Sequence, residues 1–277
     1  MCDTCGCNVT PGNEQIARAP DPHGVSAVTV LQNLLAANDR EAAHNRSHFD
    51  QHGVLAVNLM SSPGAGKTQL LEATIEALKG EFRIAVIEGD LETENDAERI
   101  RAHGVPAVQI ATGTACHLDA HMVHRALHDL ALAGLDVLFI ENVGNLVCPA
   151  SFDLGQHRNV TLLSVTEGDD KPAKYPVMFR AADLVLLTKT DLLAVLDDFD
   201  PARAEGCLRN LASRAPLLSL SAKKKSGLDA WLDWLRAERA AQRARVKNGE
   251  TLRPAVQPDG ARLHASSSQP GFVFRPA

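Results

Sequence analysis

The sequence predicts an α/β protein, a mostly parallel sheet covered by helices on both faces. Three observations carry this expectation. Short apolar runs recur along the chain, helical segments alternate with them, and 45% hydrophobic residues over 277 positions supply a substantial core. Continuous Val, Leu and Ile runs mark strands buried on both faces, and parallel pairing requires crossover helices between them.

Taken in order, residues 1–25 carry Pro11, Gly12, Pro20, Pro22 and Gly24 with little periodicity and read as a flexible arm headed by cysteines. Val28, Leu31, Leu34, Leu35 and Ala42 recur mostly at helical spacing, so an amphipathic helix over 28–49 opens the folded domain, residues 26–245. Strands are expected at 54–60, 83–88, 105–110, 136–140, 160–165, 184–187 and 216–220, and helices at 69–78, 117–132 and 228–239. Right-handed crossovers follow. Residues 246–277 are rich in Pro, Ser and Gly without periodicity and are expected to be a disordered tail. There is no internal repeat.

With 28 basic and 34 acidic side chains the formal charge is -6. That balance argues against a protein that coats nucleic acid or anionic membrane, and Lys223, Lys224 and Lys225 form too short a run to reverse it. The first residues lack a secretory pattern and no long apolar run appears, so a cytoplasmic protein is expected. In that compartment the six cysteines are read as ligands, nucleophiles or core residues, not disulfides.

The stretch VLAVNLMSSPGAGKTQLLEATIEAL has the strand, loop and helix order of a phosphate-binding loop. Gly64 and Gly66, with Ala65 between them, let backbone amides turn toward phosphate oxygens. Lys67 reaches the β and γ phosphates and the Thr68 hydroxyl ligates magnesium. Ser61 stands where the motif has its first glycine. Thr188, Lys189 and Asp191 follow an apolar strand. One carboxylate accepts both N1-H and N2-H of guanine, the lysine stem covers the base, and the amides of Ser221, Ala222 and Lys223 meet O6; a polar turn is the plain alternative. Glu141 ends a strand and begins Glu-x-x-Gly, in which Gly144 senses the γ phosphate. Asp90 and Asp96 are further carboxylates for magnesium and water, with a turn residue and a helix-terminal charge as plain alternatives.

Cys2, Cys5 and Cys7 follow C-x-x-C-x-C. With the Cys2 amine, once removal of Met1 frees it, they offer three sulfurs and one nitrogen in the plane nickel(II) accepts, while a zinc knuckle, an iron-sulfur fragment or a reactive arm are alternatives. Cys116 and His117, at an expected helix start, and Cys148, after Glu141, form a second set of soft and borderline ligands. Either cysteine alone also reads as a buried small hydrophobe. Cys148 lies four positions after Gly144, at most about 14 Å of chain. His117, His121, His124 and His128 share a helical face that either holds metal or is solvated or dimer-facing. His44, His48 and His52 are read as a surface face and Cys207 as packing.

The segments MCDTCGC, NLMSSPGAGKT, EGDLETENDAERI, TGTACHLDA and ENVGNLVCPASFDLG together resemble the HypB family of hydrogenase nickel-incorporation GTPases, over residues 1 to about 239. The resemblance implies a P-loop GTPase that forms a homodimer with GTP; hydrolysis of GTP to GDP is expected to need Mg2+ and to be slow alone, since no arginine finger can be identified in the sequence. It implies Ni2+ at Cys2, Cys5 and Cys7 and a Ni2+ or Zn2+ site at Cys116, His117 and Cys148, with His121 contributing. It also implies a HypA-type nickel and zinc chaperone and the [NiFe] hydrogenase large subunit precursor as partners. Thr114-Ala115 replaces the family's more usual Lys-Gly, and Thr188 its asparagine. A nickel store with little use for nucleotide and a urease-type nickel-insertion GTPase are the competing readings. Lys67 and Thr68 oppose the first; the terminal cysteines and NLVCPASFDLG oppose the second.

Overall fold

The computed structural model describes residues 27–90, 95–113, 115–211 and 213–254, with side chains from residue 34 onward. Cys2, Cys5 and Cys7, and the tail after 254, lie outside the described residues. The chain order is α1 (Ala27–His52), β1 (Leu55–Met60), α2 (Lys67–Ala77), β2 (Ile84–Asp90), α3 (Asn95–Ala102), β3 (Ala107–Ala111), α4 (Ala120–Leu127) and β4 (Val137–Glu141). A 3-10 turn at Cys148–Ser151 leads to β5 (Arg158–Ser164), α5 (Lys171–Lys174), α6 (Pro176–Arg180) and β6 (Leu184–Thr188). A second 3-10 turn at Thr190–Ala194 precedes α7 (Pro201–Asn210), β7 (Leu217–Ser219) and α8 (Leu228–Lys247).

All seven strands pair in parallel, in the order β3-β2-β4-β1-β5-β6-β7. The period-2 alternation of strand side chains separates two faces. Leu55, Val57 and Leu59 of β1, with Val137 and Phe139 of β4, pack against Leu70 and Leu71 of α2 and Trp231 and Leu235 of α8. On the other face Ala56, Ile87, Leu138 and Ile140 meet Phe49 of α1 and Val123 and Ala126 of α4. Farther along that sheet, Leu163 and Leu187 meet Met178 and Phe179 of α6 and Leu208 of α7. The strands run as near-continuous apolar segments because both faces are covered.

The strand order reverses around β1. The loops leaving β1, β2, β4 and β6 gather outside the carboxyl ends of the strands, where ligands of open α/β sheets bind. Among the described residues no helix is long and apolar enough to cross a membrane.

Two expectations are corrected. Helix α4 begins at Ala120 and not at 117, because the Asp119 side chain accepts a 2.7 Å hydrogen bond from Met122 N and caps it; Cys116 and His117 therefore sit in the preceding loop. At the other end α8 runs to Lys247, Leu252 is buried, its N-H donates to Gln242 at 3.1 Å, and Thr251 donates to Asp50 at 3.1 Å. The packed region reaches residue 254, beyond the expected limit of 245. One anchoring leucine in a polar stretch leaves no periodic signal.

Candidate functional site

The loop between β1 and α2 turns on Gly64 and Gly66, whose φ angles of 75° and 97° lie in the left-handed region that glycine enters without steric cost. Lys67 is buried and its Nζ donates to Ser61 Oγ at 3.2 Å. Ser61, where the motif has glycine, thus orients the phosphate lysine. A cavity of about 470 Å³ opens over this loop, lined by Gly64, Lys67, Thr68, Glu88, Asp90, Asp96, Arg99, Glu141 and Gly144. A Cβ on Gly144 would lie 2.8 Å from Pro63 Cα, so the expected γ-phosphate sensor touches the phosphate loop itself.

Glu141 ends β4 beside this loop. Its Oε1 accepts from Thr68 Oγ1 at 3.0 Å and lies 3.8 Å from Lys67 Nζ. β2 and β4 pair so that Glu88 stands opposite Glu141, and with Asp96 from α3 these carboxylates approach within 4.8 Å of one another. Burial raises both glutamic acids, and the neighbouring Glu141 charge raises Glu88 further; Lys67 opposes the rise at Glu141. Oε2 of Glu88 and of Glu141 are buried without a hydrogen-bond partner. Two orphaned carboxylate oxygens and a threonine hydroxyl are the hard donor set that magnesium takes. Asp90 lines the same cavity, and Asp96 accepts from Arg99 at 2.7 Å.

A second cavity, about 270 Å³, adjoins the first at Gly66 and Gln69. It is lined by Ala65, Thr188, Lys189, Asp191, Leu192, Ser221, Ala222 and Lys223, so the residues assigned to the base come together. Thr188 is buried and donates to Ala65 O at 2.8 Å, and Lys189, at φ 59°, donates from Nζ to Gly64 O at 2.6 Å. The threonine in place of asparagine therefore still ties the base loop to the phosphate loop. Ser221 Oγ donates to Asp191 Oδ1 at 2.6 Å and fixes the carboxylate.

Cys116, His117 and Cys148 also converge, their ligand atoms within 4.8 Å of one another. The two sulfurs are 3.0 Å apart without a disulfide between them, and Cys116 Sγ is 3.6 Å from His117 Nδ1. Burial lowers the His117 pKa, favouring the neutral ligating ring, which stacks on Phe152 at 4.0 Å. Two sulfurs and an imidazole suit nickel or zinc. His121 is exposed on α4, outside this trio.

The segment from Glu141 to Cys148 joins the two centres. Asn142 Oδ1 accepts from Leu118 N at 3.2 Å, next to His117, and Asn145 Nδ2 donates to Cys116 O at 3.2 Å. The sequence reading passed over Glu88, Arg99, Asn142 and Asn145. Glu88 ends an expected strand, the same signal that singled out Glu141; the other three act through contacts distant in sequence.

The strand, glycine-rich turn and helix around Lys67, set beside carboxylates and an adjoining cavity, define a P-loop nucleotide-binding protein. The nucleotide-binding domain model of the CobW/HypB/UreG family matches residues 55–219. The hydrogenase maturation factor HypB of Azotobacter chroococcum is 53% identical over 87% of this chain and 78% of its own. The hydrogenase/urease maturation factor HypB of Helicobacter hepaticus is 44% identical over 82% and 94%. The crystal structure of HypB from Helicobacter pylori in complex with nickel superposes with a TM-score of 0.71 at 42% identity, covering 74% of this chain and 96% of that one. The chain belongs to the CobW/HypB/UreG family and, within it, to the HypB hydrogenase maturation factors.

Proposed function

We propose that this chain is a cytoplasmic GTPase, slow alone, whose nucleotide state gates the delivery of nickel to the large subunit precursor of [NiFe] hydrogenase. It receives the metal from a HypA-type chaperone and dimerises with GTP. The observation that carries this reading is the single segment holding Glu141, Gly144 and Cys148, in contact with the phosphate loop at one end and the cysteine site at the other. A metal store has no use for such a connection.

In this reading Lys67 and the loop amides bind the β and γ phosphates, while Asp191 selects guanine. Magnesium, held by Thr68 with Glu141, Glu88, Asp90 or Asp96, neutralises phosphate charge when bound. Glu141 and Asp96 also border the water that attacks the γ phosphate. Gly144 meets that phosphate, and its displacement moves Cys148 relative to Cys116 and His117. Cys2, Cys5 and Cys7 form a separate nickel site on the N-terminal arm, and Cys116, His117 and Cys148 take nickel or zinc, with His121 available to extend the site.

The test is a nickel and zinc titration of the full chain, at one pH, with GDP and with a non-hydrolysable GTP analogue. Affinity at the cysteine site is expected to differ by about 1–3 kcal/mol between the two nucleotides, and the difference to vanish in Cys148→Ala. Equal affinities in both forms would leave two unconnected sites and end the gating reading.

A further inference from the structure

Glu41, His44 and His48 lie at steps of three and four along α1, on one face, and α4 brings His124 against them. The Nε2 atoms of His44 and His48 are 3.2 Å apart, and the ring of His124 centres 4.9 Å from that of His44 and 6.0 Å from that of His48. One ligand atom from each of the three lies within 4.8 Å of the others. Glu41 Oε1 stands 3.5 Å from His124 Nδ1 and 3.8 Å from His44 Nδ1. Asn45 Oδ1 sits 3.1 Å from His124 Nδ1, a contact that places the proton there and leaves Nε2 with its lone pair.

A merely solvated helix face spreads its imidazoles into water. Here three converge from two helices, in half-buried positions for His48 and His124, with a carboxylate beside them. Two zinc-nitrogen bonds of ~2.1 Å at a tetrahedral angle hold their donors ~3.4 Å apart, close to the His44 to His48 separation. We propose that His44, His48 and His124 form a metal site for a borderline divalent cation, zinc or nickel, composed of residues distinct from Cys116, His117 and Cys148. Glu41 is placed to complete it or to orient its rings.

Such a cation would cross-link α1 to α4. The same stretch of α1 already braces the frame of the cysteine site: Asn38 Nδ2 donates to Asp153 O at 2.8 Å, and Asn45 Nδ2 donates to Ala120 O at 2.8 Å and to Leu154 O at 3.2 Å. Ala120 follows Cys116 and His117, and Asp153 follows the turn that starts at Cys148. A metal at the histidines therefore stiffens the helix that supports both halves of the cysteine site.

The test uses the full chain stripped of metal, with zinc as the probe in equilibrium dialysis and cobalt(II) as a spectroscopic reporter. His44→Ala, His48→Ala and the milder His48→Gln are each expected to bind one zinc equivalent fewer than the unaltered chain, while keeping their circular dichroism and GDP affinity. They retain the thiolate-to-cobalt charge-transfer band, which Cys116→Ser with Cys148→Ser diminishes. Zinc is expected to slow amide exchange in α1 in the unaltered chain and in the double cysteine variant, but not in His48→Gln. Unchanged zinc stoichiometry in the histidine variants, or α1 exchange insensitive to zinc, would overturn the proposal. His44 is mostly exposed, so His44→Ala decides the matter even if the other variants fold poorly.

Discussion

Replacing Asp191 with Asn reverses the hydrogen-bonding sense of one wall of the base cavity, and the structure says which atom changes. Lys224 N-H donates to Ser221 Oγ at 3.2 Å, so the hydroxyl proton goes to Asp191 Oδ1 at 2.6 Å. In Asp191→Asn the amide oxygen keeps that partner and the new NH2 faces the cavity. Guanine presents N1-H and N2-H there, so the bond to the replaced oxygen becomes a donor-against-donor contact and the other loses its charge assistance. At ~1.5–3 kcal/mol for the bond reversed, the loss is ~10–150-fold in GDP affinity. Xanthine carries an acceptor oxygen at C2 and should bind the variant better than guanine does. Displacement of a fluorescent GDP analogue by GDP, XDP and ADP measures all three. A variant whose GDP affinity falls less than about fivefold, or an unaltered chain from which ADP displaces the probe as well as GDP does, would refute the assignment of this cavity to guanine.

Gly144→Ala forces a Cβ to within 2.8 Å of Pro63 backbone, which must move; overpacking of ~1–3 kcal/mol should appear as weaker GTP-analogue binding in calorimetry, and unchanged binding would separate Gly144 from the phosphate loop. Arg46→Ala strands the Asp153 carboxylate, which now accepts from Arg46 at 2.7 and 2.8 Å in a buried pair. A cost of ~3–5 kcal/mol should lower the melting temperature by ~6–20 °C. Burial holds the His157 pKa down, and its Nδ1 accepts from Ala56 N at 2.9 Å, so the ring is neutral in the folded chain. The unfolded chain therefore binds the extra proton first. Stability is intact above the unfolded histidine pKa of about 6.5 and declines as pH falls toward the lower folded value. Urea midpoints across that range should fall less steeply in His157→Gln.

The parts of this molecule legible in the sequence are those written in consecutive residues. Apolar runs alternating with helical segments give the strands, and residues 61–68 give the phosphate loop because strand, turn and helix follow one another without interruption. Glu88 becomes a partner of Glu141 only through the register of β2 on β4, a pairing that spans more than one crossover. Ser61 and Thr188 look like losses in their motifs, yet each makes a contact that does the same positioning, to Lys67 and to Ala65 O. The displaced start of α4 is a different kind of miss. The histidine period of 117, 121, 124 and 128 continues through the cap, and Asp119, a strong N-cap residue, was the local signal that ends it. Likewise His44 and His48 are an ordinary surface pair until α4 supplies His124.

What the fold adds to those motifs is a route between them. A nucleotide biases a conformation only through contacts that differ between two states, and the bias is reciprocal. Three contacts are placed to carry it: Gly144 against Pro63, Asn142 to Leu118 N, and Asn145 to Cys116 O. Each joins the segment after β4 to something else, one to the phosphate loop and two to the loop carrying Cys116 and His117. Under the proposed gating a shift of Gly144 is passed to Asn142 and Asn145, because these positions are neighbours on one short segment. Under the proposed gating, therefore, the cysteine site does not simply receive a signal. By the same linkage a metal that draws Cys148 toward Cys116 and His117 pulls on Gly144, and cargo and nucleotide each report on the other.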